Sequence, residues 1–223
     1  MRAAVFDFDG VLVDSEPLHF RAMRDALLPE GFEITTAEYY ASYIGYDDWG
    51  ALRQAFEEHG VSPTPRQIET AARRKKACFA EVIRDVRFFP GARELVRGLA
   101  EEMPLAIASG ALHGEIEEIL GAGGLRDAFS AVVGAEDASR TKPDPAPYLE
   151  AARLLGARVP GLRPADCLAF EDSVAGVVSA LGAGMKVVAV TTSYPADKLR
   201  SAHRVVGSLA ELERGSLRAL FAA

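Results

Sequence analysis

The sequence predicts an α/β protein, a doubly wound parallel sheet with an all-helical segment inserted after its first strand. Short unbroken apolar runs recur along the chain, and stretches with helical spacing alternate with them. One long stretch near the start has helical spacing only.

Ala3-Ala4-Val5-Phe6 comes first, an apolar run of the kind found in strands covered on both faces. Residues 15–87 then break the rhythm. Ile68, Ala71, Ala72, Lys75, Cys78, Phe79 and Val82 recur at three- and four-residue intervals along one face, as in an amphipathic helix. This segment is expected to form a small helical cap, with residues 1–14 and 88–223 making the α/β core. Phe88-Phe89-Pro90-Gly91 supplies the turn signal that reopens the alternation. Four further strand-like runs follow: Leu105–Ala108, Ala131–Val133, Cys167–Phe170 and Val187–Val190. They are interleaved with helical stretches at Ala92–Ala100, Glu115–Leu120, Tyr148–Leu155 and Val174–Leu181. Right-handed crossovers then give a parallel sheet with helices on both faces. An insert leaving straight after the first strand is expected to hang over the carboxyl ends of the strands and to open and close on linkers near Asp14-Ser15 and Arg87-Phe88.

At 223 residues the chain can bury a full core, and 25 basic against 32 acidic side chains give a formal charge of −7. That balance disfavours a sequence-independent grip on nucleic acid over most of the surface. Cys78 and Cys167 form no Cys-x-x-Cys pair, so neither a disulfide framework nor a thiolate metal site is indicated. The apolar run at the start meets Asp7 too soon for a signal core or a membrane span. The expectation is a cytoplasmic monomer with no membrane and no nucleic-acid partner.

Side chains alternate along a strand, so Asp7 and Asp9 share one side of the first strand or its extension, and Gly10 frees the chain to turn. Ligands of open α/β sheets bind outside the carboxyl ends of the strands. Alone, Asp-x-Asp reads more readily as a solvated turn. Other strands, however, run into polar residues in the same way: Ala108 into Ser109-Gly110, and Phe170 into Glu171-Asp172-Ser173, which can also cap the helix that follows. Thr141-Lys142-Pro143-Asp144-Pro145 is a fourth element, with Pro143 keeping Lys142 out of helix and Asp144 placed to cap the next helix. Acids this close repel and raise one pKa unless a cation neutralises them, and Asp7, Asp9 and Asp172 offer the hard oxygens that suit Mg. With Mg and Lys142 offsetting anionic repulsion and Ser109 cradling phosphoryl oxygens, Asp7 could attack a phosphate monoester while Asp9 serves as acid and then base.

These four segments, in this order, resemble the motifs of the haloacid dehalogenase superfamily, in its β-phosphoglucomutase and phosphoglycolate phosphatase branch. The resemblance implies a Rossmann-like core, with Asp7 in DFDGVLVDS as nucleophile and Asp9 as acid/base whose backbone carbonyl binds Mg. It implies phosphate binding by Ser109, Gly110 and Lys142, and Mg ligation by Asp172, with Glu171 supporting its waters or ligating it. The dehalogenases themselves lack the second aspartate, so Asp9 points to phosphate chemistry.

Within that branch, His19 and Lys75 look similar to substrate-contacting positions of the mutases. His19 reads equally as a packing residue, and Arg73-Arg74-Lys75-Lys76 reads first as a solvated helix face. Tyr46 and Trp49 could face substrate, although aromatics near a helix start usually belong to the core. The mutase cap loop resembles Gly-Val-x-Arg, whereas this chain reads Ile44-Gly45-Tyr46-Asp47-Asp48-Trp49-Gly50. Two acids in place of an arginine are expected to repel a second phosphate. The reading is therefore a Mg-dependent phosphatase acting on a small phosphate monoester of the sugar phosphate or phosphoglycolate class through an aspartyl phosphate. A phosphomutase is the alternative, and a phospho-accepting signalling module that does not turn over is the second.

Overall fold

The computed structural model describes residues 1–43, 46 and 48–222. The chain divides into two compact units, one formed by Met1–Asp14 with Arg87–Ala223 and the other by Ser15–Val86.

In chain order, β1 (Ala3–Phe6) and β2 (Val13–Asp14) lead into the inserted unit of α1 (Glu16–Leu27), the short α2 (Thr36–Glu38), α3 (Asp48–Glu58) and α4 (Pro65–Val82). The larger unit resumes with β3 (Arg87–Phe88), α5 (Ala92–Ala100), β4 (Leu105–Ala108), α6 (His113–Gly123) and β5 (Phe129–Val133). It continues through α7 (Ala146–Gly156), β6 (Cys167–Glu171), α8 (Val174–Gly182), β7 (Lys186–Val190), β8 (Arg204–Val206) and α9 (Arg214–Arg218).

Six strands form one parallel sheet in the order β5-β4-β1-β6-β7-β8. The chain builds outward from β1 on one side, then crosses back and builds outward on the other, so the order reverses at β1. In such sheets the crevice outside the strand ends at the reversal is where ligands bind. Every residue of β1, β4 and β6 is buried, which is why their sequences are apolar runs, with Glu171 at the end of β6 the exception. One face packs Val5, Ala106, Ala169 and Val187 against Tyr148, Leu155 and Val177 from the helices. On β1 and β6, Phe6 stacks on Phe170 with ring centroids 4.4 Å apart.

Sequence patterning misses three strands. β8 is a three-residue edge strand with Arg204 at its start, too short and too polar to register. β2 and β3 pair antiparallel, Val13 opposite Phe88 and Asp14 opposite Arg87, so the segments expected to be plain linkers are tied together.

The inserted unit is helical, as its spacing predicts. It has its own core of Met23, Leu27, Ile34, Leu52, Phe56 and Ile68. Thr64 starts α4 with a capping box: its Oγ1 accepts the Gln67 amide while Gln67 accepts the Thr64 amide. Among the described residues, no helix is long and apolar enough to cross a membrane.

Candidate active site

Asp7 follows β1 directly, and its amide still donates to the Phe170 carbonyl at 2.9 Å, so the carboxylate emerges where the sheet ends. Gly10 then adopts a left-handed φ of 74°, and its amide closes onto Val13 O at 2.9 Å. A Cβ at this position would stand 1.9 Å from Asp172 Oδ2, so only glycine leaves room for that carboxylate.

Lys142 sits in a tight turn: the Lys142–Pro143 peptide is cis, and the Asp144 amide donates to Thr141 O at 3.0 Å. Asp144 Oδ1 accepts the Ala146 amide at 2.9 Å, starting α7 with Pro145 at the cap position. From this turn Lys142 Nζ reaches Asp7 Oδ1 at 2.9 Å and Glu171 Oε1 at 2.6 Å, and it lies 5.1 Å from the centre of the Tyr148 ring. Two distant loops thus meet at one ammonium.

Glu171, the last residue of β6, is wholly buried and fully bonded. Oε1 accepts from Lys142 and from the Tyr148 hydroxyl at 2.8 Å, while Oε2 accepts the amides of Asp172 and Ser173 and the Ser173 hydroxyl. Ser173 also caps α8, its Oγ accepting the Gly176 amide at 2.9 Å. Asp172 is buried, and its Oδ2 accepts from the Ser193 hydroxyl. Ser109 is buried after β4, with its amide on Val133 O at 2.9 Å and its Oγ accepting the Ala111 amide at 3.1 Å. Gly110 beside it is exposed.

The electrostatics of the cluster follow from its burial. Burial, then the charge of Glu171, push Asp7 well above the ordinary aspartate range, with Lys142 pulling the other way. Burial and Glu171 likewise push Asp172 up to about 7. Burial works against the ionised Glu171 too, but Lys142 and the hydrogen bonds outweigh it and hold its pKa down. Burial also opposes the charge on Lys142, yet Asp7 and Glu171 prevail and raise its pKa.

One oxygen from each of Asp7, Glu171 and Asp172 lies within 4.8 Å of the others. With all three carboxylates ionised beside one ammonium the excess would be −2, which a divalent cation would cancel, and all-oxygen donors suit Mg. The residues present therefore fit the cation that the sequence leads one to expect. Two details differ from expectation. The Asp9 carboxylate is not one of the three, although its charge is close enough to raise Asp172. Glu171 already has both oxygens engaged by protein donors, Lys142 among them.

The remaining candidates lie in the inserted unit. His19 stacks on Phe79 with centroids 4.3 Å apart, and burial, then Lys75, lower its pKa to about 4. Lys75 is buried and ion-paired with Asp48, so it is not part of a solvated helix face as its neighbours suggested. Arg73 and Lys76 are exposed, as expected. Tyr46 and Trp49 are exposed, not core, while Ile44, Gly45 and Asp47 lie outside the described residues. Sequence reasoning missed Tyr148, Gly176 and Ser193. Tyr148 carried a signal only as an apolar helix position, and Ser193 none at all.

Comparison with known proteins decides the family, since residues 4–190 match the haloacid dehalogenase-like hydrolases. The chain belongs to this family. Hexitol phosphatase B of Escherichia coli K12 is 32% identical, the match covering 99% of this chain and 94% of that one. A putative β-phosphoglucomutase from Thermotoga maritima superposes with a TM-score of 0.79 at 27% identity, covering 95% and 96%. CbbY from Rhodobacter sphaeroides, solved in complex with phosphate, also gives 0.79, at 25% identity over 95% and 96%. As a member of the haloacid dehalogenase-like hydrolases, the chain is an enzyme of their phosphatase class.

Proposed function

We propose that the protein is a Mg-dependent phosphatase that hydrolyses a small phosphate monoester, of the sugar phosphate or phosphoglycolate class, through an aspartyl phosphate on Asp7. The observation that carries this reading is Lys142 Nζ, 2.9 Å from Asp7 Oδ1 and 2.6 Å from Glu171 Oε1 within a buried carboxylate cluster. A buried ammonium beside a nucleophile-capable carboxylate is what an anionic substrate needs on approach. Relatives that include a hexitol phosphatase and a fructose-1-phosphate phosphatase support the substrate class.

Asp7, Asp172 and the backbone carbonyl of Asp9 would hold the cation, with Glu171 supporting it. When bound, Mg neutralises the carboxylates and the phosphoryl oxygens. A carboxylate oxygen of Asp7 attacks phosphorus, the ester P–O bond breaks, and Asp9 gives its proton to the departing alkoxide. Asp9 then takes a proton from water as that water attacks the phosphorus, which releases inorganic phosphate and restores Asp7. Ser109, the exposed Gly110 backbone and Lys142 bind the phosphoryl oxygens throughout.

The phosphomutase alternative draws on His19, Lys75 and the Thermotoga maritima neighbour. Asp48 already neutralises Lys75, which disfavours capture of a second phosphate there. That pairing also means Asp48 is not the bare repelling charge its sequence position suggested. The test is phosphate release from a panel of monophosphates with and without Mg. Mg-dependent release that is absent in Asp7→Asn supports the reading. Conversion of a sugar 1-phosphate to its 6-phosphate without release favours the mutase, and inactivity across the panel favours the non-catalytic module.

A further inference from the structure

We propose that Tyr148 is a positioning residue for phosphoryl transfer, holding Glu171 so that Lys142 keeps its ammonium on Asp7. This deepens the phosphatase reading and rests on it. Tyr148 is wholly buried on α7, one turn beyond the Lys142 loop. Its hydroxyl donates to Glu171 Oε1 at 2.8 Å, the same oxygen that Lys142 Nζ contacts at 2.6 Å. Its ring lies 5.1 Å from that ammonium. One side chain thus grips both halves of the ion pair, the carboxylate through its hydroxyl and the cation through its π-face.

The need for such a grip follows from the lysine itself. Lysine is a point charge on a flexible four-carbon stem with no fixed donor geometry. Two of its three N–H donors meet Asp7 and Glu171, which leaves one for a phosphoryl oxygen, and its direction is set by where the first two are pinned. Asp7 belongs to the reacting pair and changes charge during turnover, so the stable anchor is Glu171. Among the described residues, four donors besides Lys142 fix Glu171: three engage Oε2, and the Tyr148 hydroxyl alone engages the oxygen that Lys142 uses.

Tyr148→Phe keeps the ring and removes only the hydroxyl. Glu171 Oε1 retains Lys142 as a partner, so no buried carboxylate is orphaned and the fold is retained. The parent and variant are compared for kcat, KM, melting temperature, and inhibition by inorganic phosphate and by orthovanadate, whose five-coordinate form resembles the transferring phosphoryl group. The expected result is a kcat lowered by about tenfold with KM changed by less than about twofold, and a vanadate inhibition constant raised by a similar factor. Phosphate inhibition should change by less than about twofold. In a Glu171→Gln background the same substitution should have a much smaller effect, because the two residues act as a unit.

Unchanged kcat and vanadate inhibition would overturn the assignment. So would a lowered melting temperature with phosphate and vanadate inhibition moving together, since that describes packing alone. A parent protein that releases no phosphate from any monophosphate overturns the phosphatase reading and this inference with it. An active parent with an indifferent Tyr148→Phe overturns the inference only.

Discussion

Gly176 shows how tightly single residues are constrained around the site. A Cβ there would lie 1.8 and 2.1 Å from the two Glu171 carboxylate oxygens. A flexible carboxylate could ordinarily swing aside, but this one is pinned by five donors, so the clash must break hydrogen bonds or shift the start of α8. Gly176→Ala is therefore expected to cost about 2 kcal/mol or more in a urea melt and to lower kcat more than tenfold by displacing Lys142. Wild-type activity in that variant would show that Glu171 has slack. Asp7, Lys142 and the Glu171-Asp172 pair, which meet in the carboxylate cluster, were legible in the sequence because each is a polar residue at the end of an apolar run or beside a proline. Gly176 and Tyr148 were not, because a glycine and an aromatic inside helical stretches look like ordinary packing positions. Their roles come from neighbours brought in by the sheet, not from the chain around them.

At the scale of elements, α1 and α4 are joined by the stack of His19 on Phe79 and by the helical core of the inserted unit. The folded state holds the His19 pKa near 4, against 6.5 for an unperturbed histidine, through burial and the charge of Lys75. Below pH 6.5 the unfolded chain therefore binds a proton that the folded one refuses. This contribution is complete above pH 6.5 and is lost progressively as pH falls toward 4. Because the ring is only half-buried, the loss between pH 7 and pH 5 is expected to be about 1–2 kcal/mol. His19→Phe keeps the stack and removes the titration, so denaturant melts of parent and variant at the two pH values should differ by that amount. Equal pH dependence in both would refute it. The strands β1, β4, β6 and β7 could be read from sequence because burial on both faces leaves no polar interruption. By contrast β8 sits at an edge and β2 and β3 have two residues each, so their pairing depends on partners that no local window contains.

Across the whole molecule, a formal charge of −7 and a buried carboxylate excess act in the same direction, and both favour uptake of a divalent cation. Binding to the folded state alone at a hundred times Kd adds about 2.7 kcal/mol of stability. Mg is thus expected to raise the melting temperature of the parent and to leave Asp172→Asn nearly unmoved, a difference that scanning calorimetry reads directly. The doubly wound sheet with a helical insertion was visible in the alternation of runs, and the carboxylate cluster in the convergence of acids at strand ends. The ion pair inside the inserted unit was not, because Lys75 and Asp48 are joined only when α3 and α4 pack.

The central claim is that Asp7 accepts a phosphoryl group with the help of a divalent cation, and it can be tested without knowing the substrate. Beryllium fluoride mimics an acyl phosphate on an aspartate, and its fluorine resonances report the adduct. The account predicts bound fluorine signals that require Mg and vanish in Asp7→Asn; signals that persist in that variant, or none in the parent with Mg present, would contradict it.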